Sequence, residues 1–145
     1  MNYYNQYQQN HIQTASAERI LILLYDGALR FIRQARQGME NQDLKAKLEG
    51  IGKAIDILNE LSGTLDFDTG GEIAENLDGL YAYMVRELTL ANARNDAQPL
   101  QVIDEMLVDL RDGWLQAIER VKSEKQSAAM AAPQKETRTS ISFAT

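Results

Sequence analysis

Residues 14–32 have the sequence Thr-Ala-Ser-Ala-Glu-Arg-Ile-Leu-Ile-Leu-Leu-Tyr-Asp-Gly-Ala-Leu-Arg-Phe-Ile. This stretch predicts a helix from about Ala17 to Met39, with Ser16 as the N-cap and Glu18 in the first turn, where a carboxylate stabilises the helix dipole. Apolar residues recur at the helical period but also continue outside the core-facing side. The predicted core face is Leu21, Leu24, Ala28, Phe31, Ile32, Ala35 and Met39.

Three more segments repeat apolar residues at spacings of three and four. They predict helices over about Leu44 to Leu61, Glu72 to Asn95, and Pro99 to Val121. Similar lengths and short loops favour an all-α, antiparallel four-helix bundle. The core faces predicted for these helices are Leu44, Leu48, Ile51, Ile55 and Leu58; Ile73, Leu77, Leu80, Tyr81, Met84, Leu88 and Ala91; and Leu100, Ile103, Leu107, Leu110, Trp114, Ala117, Ile118 and Val121.

The two ends of the chain lack this period. Residues 1–15 form a Tyr-, Gln- and Asn-rich stretch that predicts a mobile N-terminal arm, and residues 126–145 predict a disordered tail. The bundle is expected over residues 16–125.

The composition excludes several functions. A net charge of −6 argues against binding to nucleic acid or to acidic membrane surfaces, and the absence of cysteine excludes disulfides and thiolate chemistry. The N-terminus has no signal peptide pattern, and no apolar run approaches the length of a membrane span. We therefore expect a cytoplasmic protein without membrane insertion.

No residue pattern indicates catalysis or a cofactor. His11 is the only histidine, and it precedes every predicted helix. A di-metal bundle needs Glu-x-x-His pairs, which the sequence lacks, and no lysine follows Gly70-Gly71 as a phosphate loop requires. The arginines of the first helix alternate with Asp26 and Glu40, which is typical of a solvated face rather than a nucleic-acid surface.

Apolar and small residues outside the core faces leave two interpretations open. Either the helices make broad contacts inside the bundle, or they form a groove for an amphipathic helix of another chain. In the arm, Tyr3, Tyr4, Tyr7 and Ile12 could fold back over such a groove; the alternative is a disordered arm whose tyrosines have no role in binding. The residues concerned are Ile22, Leu23, Tyr25 and Leu29; Ala46, Gly50 and Ile57; Gly79, Tyr83 and Leu90; and Val108 and Leu115.

Several motifs carry a resemblance to a known family. They are Thr14-Ala-Ser-Ala-Glu, Leu24-Tyr-Asp-Gly-Ala-Leu-Arg-Phe-Ile32, Gly70-Gly-Glu-Ile-Ala-Glu-Asn-Leu77 and Leu110-Arg-Asp-Gly-Trp114. In this order, from about Tyr7 to Val121, the chain resembles the FliS family of flagellar secretion chaperones. It departs from the family pattern at Ala17, where many members carry proline.

The resemblance implies an antiparallel helical bundle in the bacterial cytoplasm that binds the C-terminal segment of newly made flagellin. Such binding would prevent premature polymerisation and keep flagellin competent for flagellar type III export. Further flagellar export or regulatory proteins are left open as partners, and no cofactor is implied. The alternative function is a structural or self-associating bundle.

The same resemblance, combined with the surplus apolar positions, gives candidate flagellin contacts. Tyr7 and Ile12 are candidates for a movable cover, and Trp114 is expected in the core. Gly27 is expected to permit close helix packing, and Asp26 to bind a neighbouring element. The candidate contact residues on the helices are Ile22, Tyr25, Leu29, Ile57, Tyr83 and Leu90.

Overall fold

A computed structural model describes the backbone of residues 3–131 and the side chains of residues 17–130. This part of the chain folds into four helices, α1 (Tyr3–Glu40), α2 (Leu44–Gly63), α3 (Phe67–Arg94) and α4 (Gln98–Ala131), and contains no strand. The predicted all-α fold class is therefore confirmed. The chain divides into two compact units, Met1–Arg111 and Asp112–Thr145.

Contacts along the helices of the first unit establish their antiparallel order. A Cβ atom added to Gly50 in α2 would lie 2.6 Å from the carbonyl oxygen of Phe31, and one added to Gly27 would lie 3.1 Å from Cδ1 of Ile57. Since α2 positions rise as α1 positions fall, the two helices run in opposite directions. The same reversal relates α1 to α4, where Asp26 pairs with Arg111 and Arg33 with Asp104.

Short loops with polar caps connect the helices. Asp43 precedes α2 and accepts a hydrogen bond from the backbone N–H of Ala46, which satisfies a donor left open at the helix start. Asn95 ends α3 in the left-handed region at φ 51°, a conformation that asparagine tolerates. Pro99 occupies the first turn of α4, as the sequence predicts, because proline lacks an N–H that would be unpaired there.

Gly71 breaks α3 near its start. Its backbone lies at φ 50° and ψ −124°, which only glycine adopts readily, and it separates the turn Phe67–Gly70 from the long helical segment that follows. The predicted start near Glu72 therefore agrees with the long segment. Asp66 caps the preceding turn by accepting hydrogen bonds from the N–H groups of Asp68 and Thr69.

The core of the first unit contains side chains from all four helices. At its centre the hydroxyl groups of Tyr25 and Tyr81 form a hydrogen bond, so that two buried polar atoms satisfy each other. The buried apolar residues are Tyr25, Ala28, Leu29, Ile32 and Ala35; Ile51, Ala54, Leu58 and Leu61; Ala74, Leu77, Tyr81, Met84, Leu88 and Ala91; and Leu100, Ile103 and Leu107.

Three residues of the first unit that the sequence predicts for the core are instead exposed. Leu44, Leu48 and Ile73 have 63, 47 and 70% of their surface accessible. The physical reason on α2 is the close approach to α1 at Gly50, which turns Lys47, Ile51 and Ala54 inward and Leu44 and Leu48 outward.

Other predicted core positions are only half-buried. The buried side of α1 is centred on Tyr25, Ala28 and Ile32. Predicted core residues of α1 that lie to either side of this centre are therefore only partly covered. The half-buried residues among the predicted core positions of the first unit are Leu21, Leu24, Phe31, Met39, Ile55, Leu80 and Leu110.

Two helices are longer than the sequence patterns predict. The first begins at Tyr3 rather than near Ala17, and the fourth ends at Ala131 rather than near Val121. Neither extension contains glycine or proline, so nothing in the local sequence interrupts a helix, and Pro133 follows shortly after the end of α4. The predicted tail beyond residue 131 lies outside the described residues.

The second unit, taken by itself, continues α4 from Asp112 to Ala131. None of its described side chains is buried: Trp114 and Ile118 are half-buried, and Val121 is 47% exposed. The core positions predicted at Trp114, Ala117, Ile118 and Val121 are therefore not buried, because an apolar period marks one side of a helix and does not by itself remove that side from solvent.

Candidate protein-binding surfaces

The candidate contact residues differ in their accessibility. Tyr25 is fully buried and Leu29 is 6% exposed, so both belong to the core. The others whose side chains are described are half-buried at the edges of the core, where part of each remains accessible to a partner. These residues are Ile22, Ile57, Tyr83 and Leu90. Tyr7 and Ile12 lie outside the residues whose side chains are described.

An apolar surface follows the seam between α1 and α2. Ile20 and Leu23 are each 53% exposed and share one side of α1 with Gly27. Ile57 of α2 lies against Gly27, where the missing side chain lets the two helices approach. We call Ile20, Leu23 and Ile57 the α1–α2 apolar surface.

A second surface lies between α3 and the start of α4. Tyr83 and Glu87 line a groove of about 180 Å³ together with Pro99 and Val102 of α4. Val102 is 38% exposed, so the groove has an accessible apolar wall. Leu90 lies two turns after Tyr83 on the same side of α3. We call Tyr83, Leu90 and Val102 the α3–α4 apolar surface.

The structure does not gather all the candidate residues into one groove. Ile22 lies one turn before Asp26, whose carboxylate accepts a hydrogen bond from Arg111 of α4. It therefore belongs to the side of α1 that faces α4. The half-buried candidates lie at three seams, which suits a long partner that crosses several helices better than one short helix.

Further exposed apolar residues were not identified by the sequence patterns. Leu44 and Leu48 lie on the outer side of α2, and Phe67 and Ile73 lie on either side of Gly71. For Leu44 and Leu48, the signal that could have revealed their exposure is the placement of Gly38 and Gly50. Both glycines mark the sides where α1 and α2 touch through their backbones. The backbone that approaches these small residues belongs to the same chain, as the broad-contact interpretation predicted for Gly50.

Two ion-pair groups join α1 to α4. Asp104, which is 8% exposed, accepts hydrogen bonds from Nε of Arg33 at 2.8 Å and from its Nη2 at 3.2 Å, and Nη1 of Arg36 lies 3.8 Å away. The hydrogen bond to Asp104 raises the pKa of the Arg33 guanidinium. Asp26 accepts from Nε of Arg111 at 2.5 Å, which confirms its predicted bond to a neighbouring element.

A buried lysine joins α2 to the end of α3. Lys47 is 9% exposed, and its Nζ donates a hydrogen bond to the backbone carbonyl of Asn92 at 3.1 Å. The carbonyls of the last turn carry the negative end of the helix dipole, so the ammonium group is stabilised there. This bond connects α2 to the last turn of α3.

Within residues 17–130, no group of three or more histidine, aspartate or glutamate side chains could hold a metal ion. In the helices described, no segment is both long enough and apolar enough to cross a membrane.

Comparison with known proteins identifies close relatives. The family model described as flagellar protein FliS matches residues 1–121. The flagellar secretion chaperone FliS of Bacillus subtilis is 37% identical over 127 residues, which cover 88% of this chain and 94% of the relative. FliS of Salmonella typhimurium is 40% identical over 109 residues, which cover 74% and 81%. FliSB of Pseudomonas aeruginosa is 41% identical over 113 residues, which cover 75% and 90%.

A solved structure supports the fold. The crystal structure of a flagellar chaperone from bacteria superimposes with a TM-score of 0.71 at 24% sequence identity and covers 81% of this chain and 95% of its own. The match over residues 1–121 and the identity to named secretion chaperones agree with the motifs at Thr14 and Leu24. The chain therefore belongs to the FliS family of flagellar proteins.

Proposed function

We propose that this protein is a cytoplasmic, non-enzymatic export chaperone that binds the disordered C-terminal segment of flagellin. Binding would prevent premature polymerisation and keep flagellin competent for flagellar type III secretion. The observation that carries the proposal is the accessible apolar surface at helix seams in a member of the FliS family. The relatives are named flagellar secretion chaperones, which supports a flagellar protein as the client.

The physical argument starts from the cost of ordering the client. A disordered segment loses conformational entropy when it folds on a partner, so it must bury a large apolar area to bind. The α1–α2 and α3–α4 apolar surfaces are separate areas of this kind. A client that crosses both as short helices would bury more apolar area than either surface provides alone.

The contacts proposed for the client follow from accessibility. Ile57, Tyr83 and Leu90 lie in the two apolar surfaces, and Ile22 lies at the α1–α4 seam. Contact through Tyr25 or Leu29 would require the covering side chains to move, since both residues are buried. Contributions of Tyr7 and Ile12 as a movable cover stay a prediction.

Calorimetric titration with the C-terminal segment of flagellin from the same organism tests the proposal. We expect saturable one-to-one binding with a negative heat-capacity change, and circular dichroism of the mixture should show a gain in helix. Because the contacts are mainly apolar, affinity should fall only modestly with added salt. Absence of binding to a folded protein would refute the flagellin assignment. Concentration-dependent mass without a partner would then favour self-association.

Single substitutions test the surfaces. Tyr83→Gln and Ile57→Gln each remove an apolar contact, and we expect affinity to fall about tenfold for each, which corresponds to about 1.4 kcal/mol. Leu44→Gln is the matched control, because Leu44 is more exposed but lies away from both surfaces. It should change affinity less than about twofold. Thermal unfolding of each variant separates lost contact from lost folding.

A further inference from the structure

A groove along α1, beside its ion pairs with α4, differs in character from the two apolar surfaces. It has a volume of about 470 Å³ and is lined by Leu29, Arg30, Arg33, Gln34 and Gln37, with Asp26 at one end. We call it the α1 arginine groove. Two guanidinium groups and two amides line it with a single carboxylate. The Gln34 amide donates to the backbone carbonyl of Ala46 at 3.3 Å and Arg33 donates to Asp104, so Arg30 and Gln37 are the exposed donors that the groove offers to a partner.

The carboxylates near this groove are already engaged. Asp26 pairs with Arg111, and Asp104 accepts both hydrogen bonds that Arg33 donates. Arg30 is exposed and lies over the ring of Phe31, 4.9 Å from its centre. Stacking on Phe31 therefore orients the Arg30 guanidinium. Because Arg30 is exposed, its N–H groups remain accessible to a partner.

Charge complementarity defines the occupant. The chain carries a net charge of −6, so an acidic partner is repelled over most of the surface and attracted where arginines collect. Guanidinium groups bind carboxylates with a planar, two-bond geometry. Arg30, Arg33 and Gln37 are spaced by three and four residues along about 10 Å of helix, which matches glutamates spaced in the same way on a partner helix.

We propose that the α1 arginine groove binds an acidic segment of a second protein, separate from the client held by the apolar surfaces. A protein segment fits better than nucleic acid because Asp26 lies in the groove and Glu40 lies beside Arg36 and Gln37 in the adjacent depression. Phosphates in a continuous backbone would meet these carboxylates. The separation from the client rests on the proposed function, in which the α1–α2 and α3–α4 apolar surfaces hold most of the client. Ile22, one turn before Asp26, is the proposed client contact nearest to the groove.

The test uses the full chain and a fluorescein-labelled helical peptide with glutamates at i and i+4, measured by fluorescence anisotropy. The comparison peptide has glutamine in place of each glutamate. We expect the glutamate peptide to bind at least about tenfold more tightly, with affinity that falls steeply with salt. Equal binding of the two peptides, or no binding of either, would overturn the proposal.

Substitutions locate the binding. Arg30→Gln should weaken the glutamate peptide about tenfold, and Gln37→Glu should weaken it further by placing a like charge in the groove. Arg86→Gln is the matched control, since Arg86 is also exposed and also lies over an aromatic ring, 5.8 Å from the centre of Tyr83. It should have less than about a twofold effect. Equal losses in Arg30→Gln and Arg86→Gln would show only general charge attraction and refute the groove.

Two further binding experiments determine which class of molecule occupies the groove. A single-stranded oligonucleotide of equal charge that binds as tightly as the glutamate peptide would assign the groove to nucleic acid and overturn the proposal. The complex of this protein with the flagellin segment should bind the glutamate peptide as tightly as the free protein does. If the flagellin segment and the peptide compete, the groove belongs to the client, and the proposal of a separate partner is overturned. If the flagellin complex does not form, the proposed function fails, while the titration of free protein still decides whether the groove binds.

Discussion

The contact between Gly50 and α1 allows a sharp test of how the bundle is packed. In Gly50→Ala, the added Cβ would lie 2.6 Å from the carbonyl oxygen of Phe31, 2.7 Å from the backbone nitrogen of Ala35 and 2.9 Å from its Cβ. Two of these three atoms belong to the backbone, so no side-chain rotation relieves the clash. The helices must separate until the 2.6 Å contact approaches 3.4 Å.

Two opposing effects set the size of the change. Alanine favours a helix interior over glycine by about 1 kcal/mol, whereas overpacking costs about 1–3 kcal/mol. We expect Gly50→Ala to lose about 1–2 kcal/mol, because the strain falls on two helix backbones and not on one flexible side chain. For a chain of this size, each kcal/mol of lost stability lowers Tm by about 2–4 °C.

Gly52→Ala is the matched control. Gly52 lies two residues further along α2, is exposed, and has nothing within 4 Å of an added Cβ. Only the helix preference applies there, so Gly52→Ala should gain about 0.5–1 kcal/mol. Urea unfolding followed by far-UV circular dichroism measures both variants. If Gly50→Ala were stabilised as much as Gly52→Ala, the close packing of α1 on α2 would be wrong.

Three other substitutions probe the polar contacts. Lys47→Met keeps the buried stem but removes the bond to the carbonyl of Asn92, and urea unfolding should show a loss of about 1 kcal/mol. Asp104→Ala removes the acceptor of Arg33, and the loss of about 1 kcal/mol should shrink as salt is added, because the arginine is largely exposed. Hydrogen bonds from Thr69 lower the pKa of Asp66, so its stabilising effect is present above the ordinary value of about 3.9 and is lost as pH falls through the lowered value. The stability difference between the wild-type protein and Asp66→Ala should therefore vanish in acid.

Each of these expectations has a contrary result. An unchanged midpoint for Lys47→Met would show that the buried ammonium contributes no net stability. A salt-independent loss for Asp104→Ala would indicate packing rather than charge. A difference for Asp66→Ala that persists at low pH would mean that the cap acts without ionisation.

The helices themselves were predictable because their signals are local. The period of the apolar residues placed all four, and Asn95 and Pro99 marked ends that the structure confirms. The outer ends of α1 and α4 were not predictable in this way. Polar residues without glycine or proline are compatible with a helix as well as with a coil, so sequence composition does not decide between them.

The rotation of each helix was harder to predict. Leu44 and Leu48 continue the apolar period of Ile51, yet the contact at Gly50 turns them outward. Tyr25 was a surface candidate because it lies at the margin of the predicted stripe, but its hydroxyl finds a partner on Tyr81. Such facts depend on which helix packs where, and a hydrophobic period carries no information about the neighbour. The candidate contact residues therefore differ in their accessibility, and their role in binding stays a prediction.

The two kinds of helix contact give the first unit an uneven stiffness. At Gly38 and Gly50, α1 and α2 touch through backbone atoms, which cannot give way without moving a whole helix. Lys47 joins α2 to α3, and Arg33 and Asp26 join α1 to α4, through side chains whose torsions can adjust. A client that wraps around the first unit would thus contact the rigid α1–α2 pair on one side. On the other side it would contact helices whose side-chain contacts can adjust. The same chaperone could then fit segments of slightly different bulk while its α1–α2 hairpin keeps one shape.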